Sequence, residues 1–261
     1  MTGVPKISIV TVVYNDVEEI ESTIRSILDQ TYDPLELIVI DGKSTDGTIE
    51  KLEPFRQDIH HFLSEPDKGI YDAMNKGISL ATGDWIYFLN AGDQFSGPEI
   101  LNEIVPQLNQ CDLAYGKHGA DYGYFERVHT PGTLDELKHG MIFSHQAMFV
   151  RTDLLKKNPF DLQYKLASDY NFIYQLYKEG KTFRQIENVV ASLKAEGVSE
   201  LQISKTHAER RKISCSYETG WARFQLQWWY FWKAIKLRII QFAKFILPRK
   251  TKQKLTMRKY S

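Results

Sequence analysis

The sequence predicts an α/β protein, a mostly parallel sheet with helices on both faces, followed by a basic amphipathic helical tail. Three observations predict it. Apolar runs of strand length alternate with segments of helical period from Ile7 to Leu89, the runs stop at turns that carry carboxylates, and charge is unevenly divided along the chain. With 261 residues, 43% of them hydrophobic, the chain can bury a full core. Its formal net charge is zero, yet eleven of its 33 basic residues lie beyond Glu218 and none of its 33 acidic ones does, so residues 1–218 carry a net −11. Two bodies follow, a catalytic-sized domain over 1–212 and a helical tail over 213–261. Collagen-like, disordered and disulfide-scaffold classes are excluded. Cys111 and Cys215, far apart, suit reduced thiols of a cytosolic protein. The apolar run Ile7–Val13 is short and leads into Asp16, Glu18 and Glu19, so no signal peptide is expected.

Ile7 to Val13 is too continuous for a half-exposed edge strand, and Ile20, Ile24, Ile27 and Leu28 then follow the helical period. Leu37 to Ile40 forms the second strand, ending at Asp41 and Gly42, with a helix after the cap candidates Thr45 and Asp46. Ile59 to Leu63 is the third strand and Tyr71 to Leu80 the next helix. Trp85 to Leu89, between Gly83 and Gly92, is a strand covered on both faces. Beyond a helix at Pro98 to Leu108, strands are expected at Cys111 to Tyr115, Tyr122 to Val128 and Ile142 to Val150, with a short helix at Leu154 to Lys157. Ser168 is expected to cap a helix over Asp169 to Glu179, closed by Gly180. Phe183 to Leu193 reads as an outgoing strand and Ala195 to Thr206 as a loop. No glycine-rich phosphate cradle follows the first strand, so neither the dinucleotide fingerprint nor the P-loop fits.

In open α/β sheets ligands sit at the carboxyl ends of the strands. Four polar clusters fall there: Asp41 with Ser44 and Asp46; Glu65, Asp67 and Lys68; Asn90, Ala91, Gly92 and Asp93; and Asp169. Asp93, after small residues, is placed to hold a divalent metal against a nucleotide diphosphate, since Mn²⁺ or Mg²⁺ takes one or two carboxylates plus phosphate and water. A plain turn or capping role fits it equally well. Asp41 could accept the N3 hydrogen of uracil or bond ribose, or simply close an Asx-turn, and Asp46 reads as a helix cap.

The runs VVYN at 12–15, VIDGKSTDGT at 39–48, EPDKGIYDAMNKG at 65–77 and GDWIYFLNAGD at 83–93 resemble the ordered motifs of family 2 glycosyltransferases with the GT-A (Rossmann-like) fold. SHQAMF at 144–149, SDYNF at 168–172 and GVS at 197–199 are similar to the colanic-acid and capsule-assembly branch. The resemblance implies an inverting transfer from a nucleotide sugar, UDP favoured, to a glycan or polyprenyl-diphosphate-linked acceptor. It implies Asp93 as metal ligand and Asp41 and Asp67 at the nucleoside. It implies Asp169 as general base, with Thr11, Val13 and Tyr14 lining the nucleotide pocket beside Lys68, Asn90, Ala91 and Gly92. By spacing alone Asp169 is a first-turn acid that complements the helix dipole. His145 and Gln146 are secondary candidates for diphosphate or acceptor, against packed strand residues. Lys194, His207, Arg210 and Arg211 could reach a leaving diphosphate, against solvated surface charge. Only the last carboxylate of the family's acidic motif is present, and the processive Gln-x-x-Arg-Trp signature is missing, so one sugar per encounter is expected. A non-catalytic sugar-nucleotide or glycan-binding module is the alternative.

The tail is rich in apolar residues, among them Trp228, Trp229, Phe231, Trp232, Ile235, Ile239 and Ile240, and Arg223, Gln227, Lys233, Arg238, Gln241 and Lys244 gather on one side at about 100° per residue, with Lys236 the outlier. Its charges are too closely spaced for a membrane span. Residues 221–259 are expected on an anionic membrane surface, which places the protein in the cytoplasm on the inner face of the membrane. Docking on the catalytic body or a homodimer partner is the other reading. Nucleic acid is not expected as a partner, because the main body is acidic.

Overall fold

A computed structural model of the chain describes residues 3–122, 125–194 and 202–246, with side chains in the final helix through residue 239. The first half alternates β1 (Ile7–Val13), α1 (Ile20–Leu28), β2 (Leu35–Asp41), α2 (Thr48–Leu52), β3 (His61–Ser64), α3 (Ile70–Leu80) and β4 (Trp85–Phe88). These four strands lie parallel in the order β3-β2-β1-β4. Asp41 therefore ends level with Val13 on one side and Ser64 on the other.

The second half adds β5 (Gln94–Phe95), α4 (Ile100–Ile104), β6 (Leu113–Asp121), β7 (Glu126–His129), β8 (Met148–Arg151), α5 (Thr152–Lys157), α6 (Ser168–Lys178) and β9 (Phe183–Lys194). Here the sheet is mixed. β8 runs antiparallel to both β4 and β6, β6 is parallel to β9, and β5 and β7 close antiparallel pairs.

The unbroken apolar run of β1 is explained by a separate core on each face of the sheet. Ile7, Ile9 and Val13 join Ile20, Ile24 and Ile27 of α1, while Val10 and Val12 join Ala73, Met74 and Ile78 of α3. Alternate side chains point to opposite faces, so a strand buried on both must be apolar throughout. A Cβ on Gly77 would meet Val10 Cγ1 at 2.3 Å, and its absence lets α3 lie close against β1. At the amino ends of these strands, buried Glu36 accepts from Ser8 Oγ at 2.5 Å, Thr82 N at 2.8 Å, Thr82 Oγ1 at 2.6 Å and Lys6 Nζ at 3.0 Å. Burial alone would raise its pKa, but these donors bring it down to about 2. The network ties β1, β2 and the turn before β4 together at the edge away from the strand-end turns.

Three expectations are corrected. Ile142 to Val150 is not one strand: residues 145–147 form a single 3-10 turn whose start is capped by Ser144 Oγ, and only Met148–Arg151 is extended. Ser168 does not cap α6. It lies in the first turn and donates its hydroxyl to Asp161 O at 2.9 Å, while Ala167 stands at the cap position. The loop expected over 195–206 is replaced from Ile203 by α7 (Ile203–Tyr217), and residues 195–201, which hold the GVS motif, lie outside the described residues. Helix α7 also runs unbroken across position 212.

The tail is one helix, α8 (Gly220–Ile246). Its docked side is narrow. Leu226 and Tyr230, which lie among the polar positions on the helical wheel, dock against Cys215 of α7, and Lys233 turns inward with them to become half-buried. The aromatic side faces outward: Trp221, Phe224, Trp228, Phe231 and Trp232 are all exposed. Among the described residues no helix is long and apolar enough to cross a membrane.

Candidate active site

The carboxyl ends of β1 and β2 are joined through their turns. Asn15 Oδ1 accepts from Thr45 N at 2.9 Å, and Ser44 Oγ accepts from Asn15 N at 2.8 Å. Asp41, fully buried, spends its oxygens on Ser44 N, Ser44 Oγ and Ser64 Oγ, so the Asx-turn is the role observed. Asp46 is not the cap of α2: Gly47, at φ +101°, stands at that position, and Asp46 accepts from Thr48 N at 3.1 Å and Thr48 Oγ1 at 2.6 Å from one residue before it. Next to Asp41, Gly42 makes a floor: a Cβ there would lie 2.6 Å from Asp67 Oδ2 and 3.1 Å from Tyr14 Cδ2. Tyr14, Gly42 and Asp67 thus meet, with the Tyr14 ring 64% exposed and free to stack on a ligand. Val13 faces the core and contributes its carbonyl, which accepts from Gly42 N at 2.9 Å. Thr11 is also internal, and its hydroxyl has no hydrogen-bond partner. Lys68 is exposed, and its backbone N–H bonds to Asp72.

Past β4 the chain turns through Asn90, Ala91 and Gly92, the last at φ +90°, which favours glycine. Thr23 of α1 clamps this turn, donating to Asp93 O at 2.8 Å and accepting from Gly92 N at 3.0 Å. Asp93 is 5% exposed. Gln146 Nε2 donates to its Oδ2 at 2.9 Å and Lys194 N to its Oδ1 at 3.4 Å. Burial pushes its pKa up to about 6, against the pull of Gln146, His145 and Lys194, with the charge of Asp16 adding a smaller push. Asp16 is raised too, by burial and by Glu19. Lys194 Nζ, 2.6 Å from Glu19, is the cation beside this acidic group.

The 3-10 turn brings consecutive residues to two carboxylates. Gln146 holds Asp93, and His145 Nδ1 lies 3.2 Å from Asp169 Oδ2. On its other side His145 Nε2 lies 3.4 Å from Asn90 Nδ2. Asp169 also accepts from Tyr71 OH at 2.9 Å and from Tyr170 N at 2.7 Å, both on Oδ1. Burial would raise the pKa of Asp169, but the His145 hydrogen bond and charge, Arg210 and Tyr71 together hold it below the ordinary carboxylate range. The Tyr71 phenol is pushed well up by burial and by Asp169, so it stays a donor.

The structure therefore brings Asp93, Asn90, His145, Gln146, Asp169 and the backbone of Lys194 into one connected group. His207 stands apart, on α7 beside Arg210. Four neighbours of this group are not singled out by the sequence. Thr23 could have been noticed as a polar residue on the buried stripe of Ile20, Ile24 and Ile27. Tyr71 sits inside the motif at 65–77, but nothing local points it at a residue 98 positions away. Asp16 and Glu19 read only as acidic residues that follow the first strand.

Among the described residues no group of three or more His, Cys, Asp or Glu side chains is arranged to hold a metal. A cation here would rest on Asp93 and take its other ligands from phosphate and water, as magnesium and manganese commonly do. The residues fit that use. Asp93 is a desolvated carboxylate with little compensating positive charge, and Asn90 Oδ1, in the same turn, is buried without a partner.

A sheet that is parallel in its first half and mixed in its second, with helices on both faces, is similar to that of GT-A glycosyltransferases. The chain belongs to glycosyl transferase family 2, whose model matches residues 8–158. A relative from Mycobacterium bovis, named a PGL/p-HBAD biosynthesis glycosyltransferase, is 29% identical over 219 residues, which is 80% of this chain and 85% of the relative. Among solved structures, Staphylococcus aureus TarS 1-349 in complex with UDP-GlcNAc superposes with a TM-score of 0.68 at 18% identity, covering 85% of this chain and 70% of that one. The mannosyltransferase PcManGT from Pyrobaculum calidifontis, in complex with GDP-Man and Mn²⁺, gives 0.64 at 16% identity, covering 99% and 85%. These two likenesses show the shared fold.

Proposed function

We propose that the protein is a non-processive, inverting glycosyltransferase that moves one sugar from a UDP-sugar to a glycan or lipid-linked acceptor in surface polysaccharide or glycolipid synthesis. The observation that carries this reading is the pair His145–Gln146, which joins two buried carboxylates, Asp169 and Asp93, through consecutive side chains. The nucleoside would rest on Tyr14 over Gly42 and against Asp67, with Asp41 holding the turn beneath it. Mn²⁺ or Mg²⁺ at Asp93 would supply positive charge beside the donor diphosphate.

Asp169 then accepts the proton of the attacking acceptor hydroxyl. A carboxylate has about four acceptor positions, and Tyr71, Tyr170 and His145 occupy three, leaving one for that hydroxyl. The new glycosidic bond forms as the bond to the diphosphate breaks on the opposite face, so the anomeric configuration inverts. Positioning and electrostatics supply most of the acceleration.

The test is incubation with UDP-sugars, Mn²⁺ and a lipid-linked acceptor, following UDP release and the anomeric coupling of the product by NMR. UDP release with an inverted linkage is expected. Tight donor binding with neither hydrolysis nor transfer would make the protein a binding module, and a retained configuration would remove the single displacement.

The outward aromatic side of α8 supports a place on the inner face of the cytoplasmic membrane. Trp228 and Trp232 are more than half exposed, and Lys236 and Arg238 are exposed on the flanks, a pattern suited to an anionic interface. Replacing Trp228 and Trp232 together by serine is expected to abolish co-flotation with phosphatidylglycerol vesicles while UDP binding persists. Undiminished flotation of that variant would refute the assignment.

A further inference from the structure

Between α7, α8 and the turn at residues 134–139 lies a set of cations that the proposed reaction does not use. Ser214 Oγ and Tyr230 OH meet at 3.2 Å, and Tyr230 OH donates to Lys138 O at 3.4 Å, which fixes the two helices against that turn. One turn along each helix from this contact stand Arg210 on α7 and Lys233 on α8, with His207 a further turn along α7. Lys233 Nζ sits over the Trp229 ring, 4.4 Å from its centroid, and His139 stacks on the same indole at 4.4 Å. Arg210 passes Gly140, where a Cβ would lie 3.7 Å from its Cδ and Nη1.

Among the described residues, neither Arg210 nor Lys233 is ion-paired with a carboxylate. Arg210 Nε and His207 Nδ1 are buried with no hydrogen-bond partner. The two cations work against each other: burial lowers the pKa of Lys233, and Arg210 and Lys236 lower it further, while burial, Lys233 and Arg210 bring His207 down to about 4, so that it stands beside them as a neutral imidazole. Unsatisfied buried donors and crowded like charges cost stability unless a ligand of opposite charge answers them.

We infer that Arg210, His207 and Lys233 form a receiving site for the phosphate or diphosphate ester of a lipid-linked acceptor, whose apolar chain lies along the adjoining tryptophan groove. This deepens the transferase reading and rests on it. Two further observations select the acceptor as the source of the anion. Tyr170, the residue after Asp169, donates to Leu137 O at 2.7 Å and Tyr230 to the next carbonyl, Lys138 O, so the cations pack on the same turn as the helix start that carries the proposed base, and the Arg210 charge reaches Asp169 and Tyr71, whereas Lys194 Nζ is held by Glu19. The groove continues outward from the same lysine: it has a volume of about 710 Å³ and is lined by Trp228, Trp229, Trp232, Lys233, Lys236 and Leu237. A ligand with an anionic head and an apolar tail matches both parts at once. A bilayer headgroup, held in the membrane plane, would instead meet exposed Lys236 and Arg238 first.

The experiment uses the full chain and titrates farnesyl diphosphate, farnesol and UDP with Mn²⁺ by calorimetry, and phosphatidylglycerol vesicles by flotation. Farnesyl diphosphate is expected to bind and farnesol to bind far more weakly. Arg210→Gln and Lys233→Gln should each weaken farnesyl diphosphate roughly tenfold, the size of one lost charge-assisted hydrogen bond, without altering UDP affinity. Unchanged affinity in both folded variants would overturn the site. A loss confined to UDP would reassign the cations to the donor, a loss confined to vesicles would reassign them to the bilayer, and either would overturn it. Should Arg210→Gln fail to fold by circular dichroism, Lys233→Gln decides alone. If the parent chain binds no UDP while farnesyl diphosphate still depends on Lys233, the anion site stands and the transferase reading falls.

Discussion

Asp169→Asn is expected to lower turnover by roughly 10²–10⁴-fold, the usual worth of a positioned general base, while the affinity for UDP and Mn²⁺ stays at the parent value. The substitution is nearly isosteric, and its carbonyl oxygen can still accept from Tyr71 and Tyr170. What it loses is proton affinity. It also loses the negative charge that faces His145, 3.2 Å away, and Arg210. Because His145 is next to Gln146, a structural disturbance would spread to Asp93 and appear as weakened donor binding. Single-turnover rates and calorimetry on one preparation separate the two. A variant that turns over near the parent rate would remove Asp169 as the base, and one that loses donor binding in parallel would make it a structural acid of α6. In the parent, Asp169 has a depressed pKa, so it stays ionised well into the acid range and does not set the acid limb of the pH profile.

The parallel half of the fold was legible because β1, β2 and β4 are buried on both faces and read as apolar runs, bounded by glycine and carboxylate turns, with only the half-buried edge strand β3 less marked. The mixed half was not. Whether β8 would run antiparallel between β4 and β6 depends on which edges are still open once the first four strands have paired, and no local pattern encodes that. Ile142 to Val150 shows the same limit: its apolar content suggests one strand, but Ser144 offers the backbone a local cap, and the chain coils for one turn before extending.

Within the site, the strand-end carboxylates announced themselves and their partners did not. Asp93 and Asp169 lie 76 positions apart, and what joins them is a histidine and a glutamine whose direction is set by that unforeseen turn. The tail gives the converse case. The helical period is legible in the residues, but the wheel cannot say which side docks. Leu226 and Tyr230, two apolar positions among polar ones, found a complementary surface on α7, and the aromatic side was left facing outward.

Asp93→Asn is expected to abolish metal-dependent donor binding and, at the same time, to raise the stability of the ligand-free protein at neutral pH. Both effects have one cause. The folded environment raises the Asp93 pKa from 3.8 to about 6, so folding favours the protonated acid, and the stability this contributes is complete below about pH 3.8 and lost as pH rises through 6. At pH 7.5 the parent therefore holds a desolvated anion at a cost of up to about 3 kcal/mol, which a neutral asparagine avoids while still accepting from Gln146. Thermal melts should show the variant more stable at pH 7.5 and the difference vanishing near pH 4. Metal-dependent UDP binding in the parent should weaken about tenfold per pH unit below 6, because a cation and a proton compete for one carboxylate. A variant that binds UDP and Mn²⁺ like the parent would remove Asp93 from the metal. A variant destabilised at neutral pH would mean that the aspartate anion is already satisfied by the protein, leaving no electrostatic reason for a cation to bind there.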